Sequence, residues 1–164
     1  MNNGIEKRSR DAYLLEMASK VQSERTREYI IERIIPQMKW YSDKSNVYQK
    51  CYYRWMTASI LLSAAIPVVS IFADGSIVIK LIISVFGAAV TAISAYLGVK
   101  NYKDLWRTYR NVRESLLKVL YYYFNDAGMF AQIDLQAKKD ILLIDTCEKE
   151  LSREMEEWLS IKLK

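Results

Sequence analysis

Histidine is absent from all 164 residues. Its absence excludes Ser-His-Asp and Cys-His nucleophilic arrangements, and every His-based metal site. Cysteine is nearly as scarce. Cys51 and Cys147 form no CxxC pair and read as two ordinary reduced thiols. Glycine (5) and proline (2) are few, which favours long helices over a multistranded sheet. There is no Gly-rich phosphate loop, because Gly87 and Gly98 both lie inside apolar sequence. Acidic residues gather at Glu154, Glu156 and Glu157, where a solvated helix face accounts for them. No catalytic constellation is left, so the chain is not expected to be an enzyme or to carry a cofactor or metal.

What is present is strongly segregated. Hydrophobic residues make up 51% of the chain, yet its mean hydropathy is −0.08. Apolar and charged residues must therefore be sorted into separate stretches. From Trp55 to Ala73 and from Leu81 to Val99 the sequence runs without a charge, and its polar residues there are Ser and Thr. At about 1.5 Å per residue, each run extends roughly 28 Å as a helix, close to the thickness of a hydrocarbon core. A soluble amphipathic helix would carry a charged face, and neither run has one. The first apolar run follows a long charged region, so no secretory signal is expected.

Between the runs stands Asp74-Gly75-Ser76, a turn signal. The expected arrangement is a transmembrane hairpin: spans at about 55–73 and 81–99, an outer loop at 74–80, cytoplasmic N-terminal helices and a first stalk over 1–54, and a second stalk with a C-terminal helix over 100–164. Basic residues orient it. Lys44, Lys50 and Arg54 precede the first span; Lys100, Lys103, Arg107, Arg110 and Arg113 follow the second; Lys80 alone lies on the loop side. Both termini are therefore expected in the cytoplasm, with the protein in a bacterial inner membrane. Tyr52, Tyr53 and Trp55 at one cytoplasmic edge, and Tyr96, Tyr102 and Trp106 at the other, fit the same orientation. The net charge of +5 also fits nucleic-acid binding in principle, but orientation and anionic lipid already account for these basic residues. No nucleic-acid partner is expected.

The flanking regions are patterned. Ile34, Met38, Tyr41, Ser45, Tyr48, Tyr52 and Trp55 recur at alternating spacings of four and three, as do Tyr102, Leu105, Tyr109, Val112, Leu116, Val119 and Tyr123. Both spans should thus continue as long helices, with Pro36 in the first turn of the first stalk or kinking it. Gly128 suits the residue that closes the second stalk. A last helix is expected from about Asp134 to Leu163, with the row Ile144, Cys147, Leu151, Met155 and Trp158. Tyr13, Leu14, Met17 and Val21 suggest a short amphipathic helix, and Ser23 a helix cap. The fold class is an all-α membrane protein: a two-helix transmembrane hairpin extending into a cytoplasmic helical bundle.

The stretches YIIERIIPQMKWYSDKS (Tyr29 to Ser45), LWRTYRNVRESLLKVLYYYFNDAG (Leu105 to Gly128) and CEKELSREMEEWL (Cys147 to Leu159), together with the tight hairpin, resemble the SLATT superfamily. These are two-transmembrane effector domains found beside nucleotide-second-messenger synthases and nucleotide-sensing domains in bacterial conflict systems. The chain is most similar to the branch catalogued as a domain of unknown function. The resemblance rests on Arg33, Gln37, Tyr41, Trp106, Tyr109, Arg110, Glu114, Glu154 and Trp158. It implies a membrane effector that forms pores or disturbs membrane potential, triggered by a sensor protein or a nucleotide signal.

A two-helix hairpin cannot enclose a pore, so conduction of ions requires a homo-oligomer. Candidate lining residues are Ser59, Ser63 and Ser70 on the first span, and Ser84 and Thr91 on the second. Asp74 and Lys80 are candidates for the mouth. Gly87, Ala88, Thr91, Ala92 and Ala95 also make small-xxx-small pairs, which serve close helix packing in lipid. Packing and pore lining both remain open for these faces, as does a non-conducting, membrane-anchored scaffold that recruits a partner.

Overall fold

The computed structural model describes residues 12–72 and 76–162, the stretch 154–162 by its backbone alone. All regular structure among the described residues is helical. Helix α1 covers 12–19. Helix α2 (Glu24–Glu28) leads without interruption into a π-helical segment (Tyr29–Ile34) and then into α3 (Ile35–Ser70). Helices α4 (Ile77–Lys100) and α5 (Tyr102–Phe124) come next, then a 3₁₀ turn (Gly128–Phe130) and α6 (Gln136–Lys162).

Local chemistry sets the boundaries. Ser23 caps α2, its hydroxyl accepting the Thr26 amide at 3.4 Å. The π segment results from spacing. Thr26, Ile30, Ile34 and Met38 are all buried and lie four residues apart. At 3.6 residues per turn each such step overshoots by about 40°, so a plain α-helix would carry Thr26 and Met38 to different faces. In the wider π segment the Ile35 amide bonds the Ile30 carbonyl five residues back, which keeps the row on one side. Pro36 contributes, since it lacks an N–H and crowds the preceding carbonyls. It stands in the first turn of α3, directly after the π segment that leads into it.

Two expectations are corrected. The second apolar run does not continue unbroken into its stalk: Asn101 adopts a left-handed conformation (φ 47°) and ends α4, and its carbonyl starts α5. Asn is among the few residues that tolerate this conformation. Likewise Asp126 (φ 48°), not Gly128, closes α5. The Ala127 amide bonds the Tyr122 carbonyl at 2.9 Å and the Asp126 amide bonds that of Tyr123, which together form a Schellman closure. Gly128 instead opens the 3₁₀ turn. Its φ is +56°, and an added Cβ would stand 2.7 Å from Tyr122 Cδ2.

The chain divides into two compact units, residues 1–45 with 107–164, and residues 46–106. Unit 1 has a true core. Leu14, Ala18, Ile30, Ile34 and Met38 bury their side chains, as do Tyr109, Val112, Leu116 and Leu120 on α5 and Leu143 and Cys147 on α6. Each large apolar side chain so buried is worth about 1.5–3 kcal/mol. Unit 2 differs, for α4 buries no residue fully. Among the described residues, the helix that starts at Ile77 is the one long and apolar enough to cross a membrane, and none of that apolar stretch is buried. In α3 the uncharged helical part runs from Trp55 to Ser70. Ala73, Asp74 and Gly75, where the turn is expected, lie outside the described residues.

Replacing Gly128 by Ala should cost about 1–3 kcal/mol, from strain at a left-handed position and the clash with Tyr122. The thermal midpoint should fall by roughly 2–4 °C per kcal/mol. Gly87→Ala, whose Cβ enters open space inside α4, should not lower the midpoint and should raise it slightly in the same melting experiment.

Candidate functional site

The π segment that keeps the buried row in line also stacks two outward rows, Arg25, Tyr29, Arg33 and Gln37, and Glu28, Glu32, Pro36 and Trp40. Together they line an open cavity of about 780 Å³. At its edge α6 supplies Glu148. Tyr29 Oη donates to Glu148 Oε1 at 2.8 Å, Arg33 Nε to the same oxygen at 2.7 Å, and Arg33 Nη2 to Oε2 at 2.8 Å. One carboxylate thus receives three hydrogen bonds, two of them from a guanidinium fork. The Arg33 hydrogen bond, followed by that of Tyr29, holds the Glu148 carboxyl below its ordinary range. Burial, and donation to Glu148, push the Tyr29 phenol upward. The neighbouring Cys147 is fully buried, and burial raises its thiol to about 12. It is therefore a protonated, inert thiol at neutral pH.

Aromatic contacts extend the site. Trp40 meets Tyr109 edge-on at 5.7 Å, and Tyr41 lies 5.9 Å from Tyr109. Lys44 stands over the Trp40 ring at 5.7 Å. The family-pattern positions are therefore only partly gathered. Arg33 and Gln37 line the cavity, and Tyr41 and Tyr109 are buried together. Trp106 is half-buried, Arg110 is exposed, and Glu114 accepts from the buried Arg113 at 2.8 Å. The side chains of Glu154 and Trp158, like those of Met155, Glu156 and Glu157, lie outside the described residues.

The sequence pattern did not single out Glu148, Tyr29 or the buried Asp140, which accepts from Tyr123 at 2.6 Å and Gln136 at 2.9 Å; Arg113, counted among the orienting basic residues, is in fact buried. The spacing of four at 26, 30, 34 and 38 was the available signal for the π segment.

In unit 2 the candidate lining residues separate by exposure. On α4, Ile79, Ile83, Phe86, Val90, Ile93 and Leu97 are half-buried, at spacings of four and three. Ser84, Ala88, Thr91, Ala95 and Gly98 form a second row of the same spacing, and it is exposed. Ser84 and Thr91 donate their hydroxyls to the carbonyls of Lys80 and Gly87, both at 3.0 Å, and Ser94 to that of Val90 at 2.9 Å. On α3, Ser59 is half-buried, whereas Ser63 and Ser70 are exposed; Ser70 bonds the Pro67 carbonyl at 2.7 Å. Lys80 is exposed in the first turn of α4, and Asp74 lies outside the described residues. Trp55, Tyr96, Tyr102 and Tyr48 come together, with ring separations of 5.7, 6.0 and 5.8 Å along that order and a 2.9 Å phenol–phenol hydrogen bond between Tyr96 and Tyr102.

A family model matches residues 36–138, and it is described as a protein of unknown function, DUF4231. The chain belongs to the DUF4231 family. The match takes in Gln37, Tyr41, Trp106, Tyr109, Arg110 and Glu114, and leaves Arg33 and Glu148 on either side of it. No curated protein and no solved structure matches this DUF4231 chain.

Because the Glu148 pKa is depressed in the folded state, its stabilising contribution is fully present above the ordinary carboxylate range. It is lost as pH falls through the lowered value. Glu148→Gln should destabilise the protein by about 1 kcal/mol at neutral pH, as befits a half-exposed but forked pair. The gap between variant and wild type should narrow as the pH of the melt is lowered and the Glu148 carboxylate becomes protonated.

Proposed function

We propose that the chain is a two-span membrane hairpin with both termini in the cytoplasm of a bacterial cell, and that copies of it assemble into an ion-conducting pore. The reading is non-enzymatic, with lipid, further copies of the chain and permeating ions as partners. The observation that carries it is the division of α4. Its large apolar row is half-buried within unit 2, while its small, hydroxyl-bearing row Ser84, Ala88, Thr91, Ala95 and Gly98 is turned outward. In lipid such a row either packs closely against a second copy or faces water in an assembled pore. The cluster of Trp55, Tyr96 and Tyr102 supports an interfacial belt at the cytoplasmic edge. The resemblance to SLATT effectors supports a role in a conflict or defence system, triggered by a sensor protein or a nucleotide.

A second reading, a membrane-anchored scaffold that does not conduct, is favoured by one detail. The hydroxyl protons of Ser84, Thr91 and Ser94 are already donated to their own helix, as packing against lipid or another helix requires.

Reconstitution in a planar bilayer, with oligomer size measured on the same preparation, separates the two. A pore gives discrete conductance steps that Ser63→Trp or Thr91→Trp abolishes while oligomer size is kept. Steps that persist in both variants would remove these residues from the wall. An oligomer that stays silent with and without candidate nucleotides favours the scaffold.

Orientation is tested in a Cys51→Ser background carrying Ser76→Cys. An impermeant maleimide added outside intact cells should label the introduced thiol, and labelling only after lysis would reverse the topology. Cys147 is no reporter of sidedness, since its burial blocks reaction from either side.

A further inference from the structure

The π segment is bracketed by the groups that reach α6. Tyr29 is its first residue and Arg33 its fifth, and both end on the single Glu148 carboxylate. Ile30 and Ile34, on the opposite side, are fully buried. A π-helical stretch is uncommon and persists only where its surroundings hold it, and such stretches collect at functional hinges. Here the inner side is held by apolar packing and the outer side by a polar contact. Arg33 keeps 57% of its side chain in solvent, so water can replace that contact at small cost.

We propose that Glu148 is a clasp that keeps Tyr29–Ile34 in its π-helical form, and that taking its carboxylate away lets the segment rewind to α-helical hydrogen bonding. Rewinding by one residue turns the preceding Glu24–Glu28 stretch by about 100° against the start of α3. Thr26 then leaves the buried row it shares with Ile34 and Met38, and the outward rows beside the cavity slip out of line. Unit 1 would thus hold a two-state element with its trigger on α6. The clasp lies within unit 1 alone and operates whether or not the protein conducts.

The test is amide hydrogen exchange on the full-length protein in detergent, comparing wild type with Glu148→Gln and Arg33→Gln. The expected result is a rise of about fivefold in exchange at residues 29–35 in both variants, with protection across Leu105–Tyr123 unchanged. Unchanged exchange at 29–35 in both variants would overturn the proposal, because the buried row would then suffice to hold the π form. Equal loss of protection at 29–35 and at Leu105–Tyr123 would overturn it too, since Glu148 would then be supporting unit 1 as a whole.

Discussion

The row Ile34, Met38, Tyr41 and Ser45 is the constraint around which unit 1 is organised. Its alternation of four and three keeps it on one helix face, and Tyr41 meets Tyr109 on α5, a helix whose own row has the same alternation. Upstream, the requirement to bury Thr26 and Ile30 in the same line cannot be met at α-helical pitch. The backbone resolves the conflict by widening into the π segment, and Pro36 lowers the cost because it offers no N–H to the bonds that are rearranged. The cavity and the contacts of Tyr29 and Arg33 with Glu148 go with that widening, for the same change of pitch stacks Tyr29 over Arg33.

How much of this could be read in advance depended on whether the signal was periodic. The rows on α3 and α5 were legible, because burial at alternating spacings of four and three leaves a trace in any sequence. Ser23 was legible as a cap because its hydroxyl acts within its own turn. The π segment was not, since a spacing of four fits neither template and looks like drift. Glu148 gave no sign: it stands among Glu, Lys and Asp on α6, and its partners lie 115 and 119 positions away. The end of α5 misled for a different reason. Glycine is the expected left-handed residue, but Asp126 takes that role and Gly128 serves the next turn. Asn101 was missed because one left-handed residue between two helical patterns leaves the pattern on each side intact.

In unit 2 the composition of the faces was legible in the sequence, but not which way they turn. Small residues at Ser84, Ala88, Thr91, Ala95 and Gly98 are equally suited to packing inside the molecule or outside it. Only the half-burial of Ile79, Ile83, Phe86, Val90, Ile93 and Leu97 assigns the large row to the inner side and leaves the small row free.

The two units therefore differ in what they leave unfinished. Unit 1 encloses a core of large side chains, and its buried carboxylate at Asp140 has Tyr123 and Gln136 as donors. In unit 2, Ile77, Leu81 and Val99 are each more than 60% exposed, an apolar surface of the kind that marks a contact with lipid or protein. Hydrocarbon around it would satisfy the large residues but give the small row nothing to fill its hollows. Close contact between helix backbones fills such hollows best, and only another helix provides it. In the proposed pore, contact with further copies would fall to α4, whereas the proposed clasp on Glu148 would put control with α6.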